Sequence, residues 1–206
     1  MKQHLPEERS ARAESIQPKC GFSRTQCAIW LFVVPFVLLL VFFWPVLSPL
    51  ESQRSHISGD LLSKDYPFRV FAMRSLLHGD IPLWDEHLFG GWPGIANSEL
   101  AFFYPPNVLL LPFWGERGFS YYAFEWWILL HLYFAGVGTA LLGRKYGLSV
   151  HGALIAAVTM TFSGFLVAHK IHSNIVQTIV WLPWVLLCLE AYLNRQRLSA
   201  LWAGMG

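Results

Sequence analysis

The sequence predicts an all-α, polytopic transmembrane helix bundle with a large first extracytoplasmic loop that contains an interfacial helix. Three observations carry this. Four long apolar runs alternate with short charged connections. Only 14% of the 206 residues are Asp, Glu, Lys or Arg, while 54% are hydrophobic, against about 25% charged in soluble domains. Lys and Arg also gather in three segments that fall on one side of a membrane if each apolar run crosses it. Sixteen Phe and ten Trp suit a chain with extensive membrane interfaces. The net charge of +2 argues against a nucleic-acid partner. Three cysteines cannot build a disulfide framework, and Cys20, Cys27 and Cys188 read as free thiols.

The elements follow in order. Residues 1–27 form a cytoplasmic tail, polar and of mixed charge as far as Ser23, and this part is expected to be disordered. Residues 28–47 are uncharged and long enough to cross the hydrocarbon core, which takes about 20 residues. The long apolar run, and the lack of a small-residue cleavage pattern from Pro45 to Pro49, favour a signal anchor over a cleaved signal peptide. Residues 121–142 form the second span, with Glu125 near its outer end. Residues 151–168, shorter and rich in small residues, form the third, and residues 175–193 form the fourth. Residues 198–206 read as the start of a fifth span, and the chain as part of a longer protein. Lys2, Arg9, Arg12, Lys19 and Arg24, then Arg144 and Lys145, then Arg195 and Arg197 place the N-terminus in the cytoplasm. The loop 48–120 then lies outside with eight acidic residues and five Lys or Arg, as does the turn 169–174.

Within the loop, Gly59-Asp60 precedes Asp65-Tyr66-Pro67, which opens a helix ending at His78. Asp65 suits its N-cap, Pro67 its first turn and Gly79 its stop. Tyr66, Val70, Met73 and Leu77 share one helical face, as expected for a helix lying on the membrane surface. Ile81 to Trp84 reads as extended and Phe89 to Gly94 as a tight turn region. Val108 to Trp114 reads as a short apolar helix or re-entrant piece.

Four loop stretches occur in an order and spacing that resemble the YfhO-like family of bacterial polytopic membrane proteins. They are Asp60-Leu-Leu-Ser-Lys-Asp-Tyr-Pro-Phe-Arg, Leu77-His-Gly-Asp-Ile-Pro-Leu-Trp, Leu88-Phe-Gly-Gly-Trp-Pro and Phe103-Tyr-Pro-Pro-Asn. Gly164-Phe-Leu-Val-Ala-His-Lys-Ile-His-Ser-Asn and Trp181-Leu-Pro-Trp fit the same family. The resemblance covers Gly59 to about Leu187. It implies a GT-C type glycosyltransferase in the bacterial cytoplasmic membrane. Such an enzyme moves a sugar from a polyprenyl-phosphate donor to an envelope polymer or lipid acceptor on the extracytoplasmic face. Two departures add negative charge: Asp85-Glu86 where the family often has Asn-Pro, and Glu99 where it often has Gln. Both bear on acceptor choice and on affinity for a divalent ion.

That chemistry needs a carboxylate to orient or deprotonate the acceptor hydroxyl, cationic groups or a metal for the departing phosphate, and an apolar groove for the prenyl chain. In GT-C type proteins the carboxylate is an Asp just beyond the first span. Asp60 holds that place and Asp65 is the runner-up. The plainer readings are a solvated turn for Asp60 and an N-cap for Asp65. Arg69 and Arg74 can hold phosphate or simply touch lipid headgroups. His169, Lys170 and His172 share the face of Asp60 by topology and suit phosphate better than metal, because a lone His-x-x-His supplies only two ligands. Asn174 suits a sugar hydroxyl or a helix cap. The cofactor stays open, a divalent metal being one option. Glu125 and His131 lie within the second span, where ionisable groups mark functional sites by default. Trp126, Trp127, Trp181 and Trp184 read as an aromatic belt, and Gly136-Val137-Gly138 with Gly143 as close helix packing. The competing functions are a transporter or flippase for lipid-linked intermediates, and a noncatalytic membrane assembly protein. The uniformly apolar spans weigh against a transport path.

Overall fold

The computed structural model describes residues 24–48 and 59–203, with side chains from 29 to 194. The expectations for residues 1–23 and 204–206 lie outside the described residues, as does the segment 49–58. The described chain is mostly helical, and its only strands form two short antiparallel hairpins. Three stretches are long and apolar enough to cross a membrane: Tyr121–Lys145, Val150–His169 and Ser173–Asn194. The described apolar part of the first helix, Ile29–Phe42, is shorter. These lengths and compositions point to a membrane protein.

Helix α1 (Arg24–Phe42) is followed after Phe43 by a single turn, α2 (Trp44–Leu47). Pro45 has no N–H to donate to the turn before it, which accounts for the break. Past Gly59, a wide π-turn (Leu61–Asp65) leads into α3 (Tyr66–His78). Pro67, near the N-terminus of α3, removes one amide from the α ladder and crowds the carbonyl of Ser63, which favours the wider turn. Gly79 ends α3 in the left-handed region at φ 75°, where it donates back to Ser75 and Leu76. Strands β1 (Trp84–Asp85) and β2 (Trp92–Pro93) form the first hairpin. Two 3₁₀ segments follow, Ser98–Leu100 and Pro105–Phe113, then the hairpin β3 (Trp114–Gly115) and β4 (Gly118–Phe119).

Helix α4 (Tyr121–Lys145) is the axis of the fold. Of its most apolar stretch, 61% is buried within the chain, against 28% and 22% for the other two long stretches. Three apolar layers stack along it. The loop layer joins Phe68, Ala72, Met73, Leu100 and Leu110 to Phe124, Trp127 and Ile128. The middle layer joins Leu39 of α1 and the following Phe43 to Leu129, Leu132 and Ala135, and to Leu166, Val176 and Val180. The third joins Leu31 to Ala140, Ala153 and Ala157. Large apolar side chains on the outer faces, such as Val41, Ile155, Val185 and Leu189, are exposed and suit lipid contact.

The third apolar run is two helices, α5 (Val150–Thr161) and α6 (Gly164–His169). The fourth is also two, α7 (Ser173–Ile179) and α8 (Leu182–Ala203). Pro183 in the first turn of α8 explains the second break. Helix α8 continues unbroken through Leu198 to Ala203, so this segment extends the fourth helix rather than opening a fifth. The glycines of α4 permit close packing. A Cβ on Gly136 would run into Thr161 of α5, and one on Gly138 would meet the Trp184 ring of α8 at 2.6 Å.

The face of α3 differs from the one expected. Phe68, Arg69, Ala72 and Met73 are buried, whereas Leu77 is 50% exposed. The helix packs its inner face on the loop core and on α4 instead of presenting a plain apolar stripe.

Candidate functional site

Helices α4, α5 and α6 each begin with a serine that caps its own first turn. Ser120 accepts from Ala123 N–H at 3.0 Å, Ser149 from Gly152 N–H at 3.1 Å and Ser163 from Leu166 N–H at 3.3 Å. Helix α7 begins at His172, which makes no side-chain cap bond. Its cap comes from the loop. The Ser173 N–H donates to Asp65 Oδ2 at 2.7 Å, across 108 residues. Asp65 is buried and makes no cap bond to α3. Its expected role as the N-cap of its own helix is therefore corrected: the same chemistry is used on a distant helix. Buried against the α7 backbone, its carboxylate is poorly placed to reach a substrate.

Arg69 sits one turn further along α3 and has no exposed surface. Its Nη1 donates to Leu100 O at 2.7 Å, its Nη2 donates to Ser173 Oγ at 3.2 Å, and its Cζ lies 5.7 Å from the centre of the Trp127 ring. Burial pulls the guanidinium down to about 10, opposed by Asp65 and Tyr104, so it stays cationic near neutrality. Nε has no hydrogen-bond partner. Headgroup contact and phosphate binding both require exposure, and Arg69 has none. It is a buried cross-link between α3, the first 3₁₀ segment and α7. Arg74 is exposed and joins none of these contacts among the described residues.

Asp60 is different. Its side chain is 49% exposed, and its Oδ2 lies 3.7 Å from His172 Nε2 and 3.9 Å from Lys64 Nζ. Lys64 Nζ also lies 3.3 Å from Glu99 Oε2. The extra acid at position 99 is thus matched by a cation, and the hydrogen bond and charge of Glu99 raise Lys64 above its ordinary value. The His169 ring stacks on Phe165, and its centre lies 5.8 Å from that of His172. Partial burial lowers the neighbouring Lys170. No group of three or more His, Cys, Asp or Glu able to hold a metal occurs among the described residues. The structure therefore brings Asp60, Asp65, Arg69, His169 and His172 to one end of the bundle and leaves Arg74 apart.

Beside this charged cluster lies an open cleft of about 800 Å³. One wall is α7 and the turn after it, where Asn174, Gln177, Thr178 and Trp181 fall at helical spacing on one face. The other wall is the loop, with Asn97 and Ser98 followed by Phe102, Phe103, Tyr104 and Pro105. Cluster and cleft adjoin through both walls, because Glu99 follows Ser98 and His172 precedes Asn174 by two residues.

Behind the cleft runs a chain of hydrogen bonds. His131 Nδ1 lies 2.7 Å from the Trp127 carbonyl, which can only accept, so in the neutral ring Nδ1 carries the proton. Nε2 then accepts from Tyr104 Oη at 2.9 Å, and Tyr104 Oη accepts from Trp181 Nε1 at 3.0 Å. Trp127 Nε1 donates to Pro106 O at 3.1 Å. Both nitrogens of His131 are thus occupied: Nδ1 within α4, and Nε2 in joining α4 to the loop. Trp127 and Trp184 face inward rather than forming a belt: Trp127 is 5% exposed, and Trp184 stacks on Phe134 and donates to its carbonyl at 3.1 Å. Glu125 is also buried.

The sequence reading missed Tyr104, Lys64, Ser173, Gln177 and Thr178. A signal was present for the last two, because Asn174, Gln177 and Thr178 form a polar stripe at i, i+3 and i+4 inside an apolar run. The chain matches no family model, no curated protein and no solved structure.

Proposed function

We propose that the chain acts as a membrane glycosyltransferase of GT-C type, taking a lipid-linked sugar at the membrane face where the loop folds. The supporting observation is the separation of the two loop aspartates: Asp65 is buried as a helix cap, while Asp60 stays half exposed within 3.7 Å of His172. In the proposed reaction Asp60 takes the proton of the acceptor hydroxyl. The acceptor oxygen bonds to the anomeric carbon as the bond from that carbon to the phosphate oxygen breaks. The electron pair leaves with the polyprenyl phosphate, and Lys64, His169, Lys170 and His172 are the nearby groups able to offset its charge. The N-terminus is assigned to the cytoplasm and the loop to the outside of a bacterial inner membrane, on the distribution of Lys and Arg. Envelope polymer or lipid acceptors follow from the sequence resemblance.

The test is Asp60→Asn in cells. Glycosylation of an envelope polymer should be lost while the amount of membrane-inserted protein holds. Unchanged glycosylation at equal protein level would refute the assignment. A second reading, movement of a lipid-linked intermediate, gains from Gln177 and Thr178, which put polar groups inside an apolar run. It predicts that Asp60→Asn leaves function intact while Gln177→Leu abolishes it.

A further inference from the structure

The cleft and the charged cluster are adjacent but chemically unlike. None of the residues lining the cleft carries a charge. Its polar groups are amides and hydroxyls, and their bonding is lopsided. Asn97 uses its side-chain oxygen to accept from Glu99 N–H at 3.0 Å, and Asn174 accepts from Ile175 N–H at 2.9 Å. Both NH₂ groups are left without a protein acceptor among the described residues. Gln177 is 4% exposed, and its buried Nε2 has no hydrogen-bond partner. Three carboxamides with donors to spare therefore border one cleft, together with the hydroxyls of Ser98 and Thr178. Phe103, which is 78% exposed, Tyr104 and Trp181 add aromatic surface.

Such a lining selects its ligand. An anion placed there would lose water without meeting a cation. A plain hydrocarbon chain would bury the carboxamides unpaired. A pyranose satisfies both demands: its oxygens accept from the NH₂ groups, and its C–H face rests on aromatic rings. We infer that the cleft between Asn97–Pro106 and the Asn174–Trp181 face is a binding site for the neutral saccharide headgroup of a glycolipid. The inference deepens the proposed transfer and rests on it for the role of the glycolipid, but the binding is read without turnover.

The full chain in phosphatidylcholine nanodiscs is mixed with four decyl glycosides: glucoside, galactoside, mannoside and N-acetylglucosaminide. Saturation-transfer NMR then reads the sugar-ring protons, with empty nanodiscs subtracted. At least one glycoside should show ring transfer that neither decanol nor decyl phosphate displaces. Phe103→Ala, at an exposed position that the fold does not need, should weaken it about fivefold, the usual scale of an aromatic contact. Gln177→Leu combined with Asn174→Leu should remove it, with thermal unfolding checking the fold, and Asp60→Asn should leave it unchanged. A methyl glycoside that binds as tightly as the decyl form would overturn the glycolipid source in favour of a soluble sugar. Absence of ring transfer for all four, or equal displacement by decanol, would overturn the site. Glycoside binding that persists while Asp60→Asn still transfers sugar refutes the catalytic reading alone.

Discussion

Asp65 and Ser173 stand 108 residues apart in sequence, yet a 2.7 Å hydrogen bond from the Ser173 amide to the Asp65 carboxylate starts helix α7. The long loop is thereby built into the bundle, and the two groups belong to scaffold rather than to chemistry.

Asp65→Ala should therefore lower stability. Losing an N-cap costs about 0.5–2 kcal/mol, and the buried Ser173 amide loses its acceptor. Asp65→Asn should recover part of the loss, since its side-chain oxygen can still accept. Thermal unfolding in nanodiscs reads the order wild type, Asn, Ala. An Ala variant as stable as the parent would contradict the capping role.

Replacing Arg69 should cost more than replacing Arg74. Arg69 is fully buried with two bonded nitrogens, and its removal strands Leu100 O and Ser173 Oγ, at about 1–3 kcal/mol for each buried group left unsatisfied. Arg69→Lys should not rescue, because one ammonium cannot reproduce the two-armed geometry. Arg74→Ala should stay within about 0.5 kcal/mol of wild type. Denaturant titration of the three variants checks this order.

Gly136→Val should destabilise by about 1–3 kcal/mol, because its side chain would enter the space held by Thr161 and the Ala157 carbonyl. Gly164→Ala is the control: a Cβ there meets nothing within 4 Å. The control should unfold at the parent temperature or slightly above it.

Glu99 raises Lys64 above its ordinary value of 10.5, so the folded state binds that proton more tightly than the unfolded state. The resulting stabilisation is complete below 10.5 and is lost as the pH rises through the raised value. Lys64 is 44% exposed, so the effect is small and screened by salt. The difference in melting temperature between wild type and Lys64→Met should stay flat over about pH 6 to 9 and close only in stronger alkali. A difference that closes below pH 9 would contradict the pairing.

Three of the four apolar stretches were legible because the length needed to cross a bilayer is a property of the linear chain. So were the ends of α3, since Pro67 and Gly79 act locally. Its inward face was not, because periodicity counts apolar residues and Arg69 faces the core only by virtue of Leu100, Ser173 and Trp127. The carboxylate of Asp65 was recognised as a cap, but the helix it serves could not be read from its neighbours. An indirect clue existed: α4, α5 and α6 carry their own capping serines, whereas α7 begins with His172 and has to borrow a cap. Asn174 could be placed beside the charged cluster from topology, but the cleft could not, because most of its lining comes from a loop whose path depends on the Asn107, Tyr104 and Trp127 bonds.

The borrowed cap also limits how such a chain can be recombined. A graft that exchanges the π-turn and α3 for those of another protein keeps its polar matches only if the donors and acceptors at Leu100 and Ser173 travel with it. The loop and α7 are one inheritable unit, and a chimera cut between them would begin α7 with a bare amide and take one of the two acceptors from the Arg69 guanidinium.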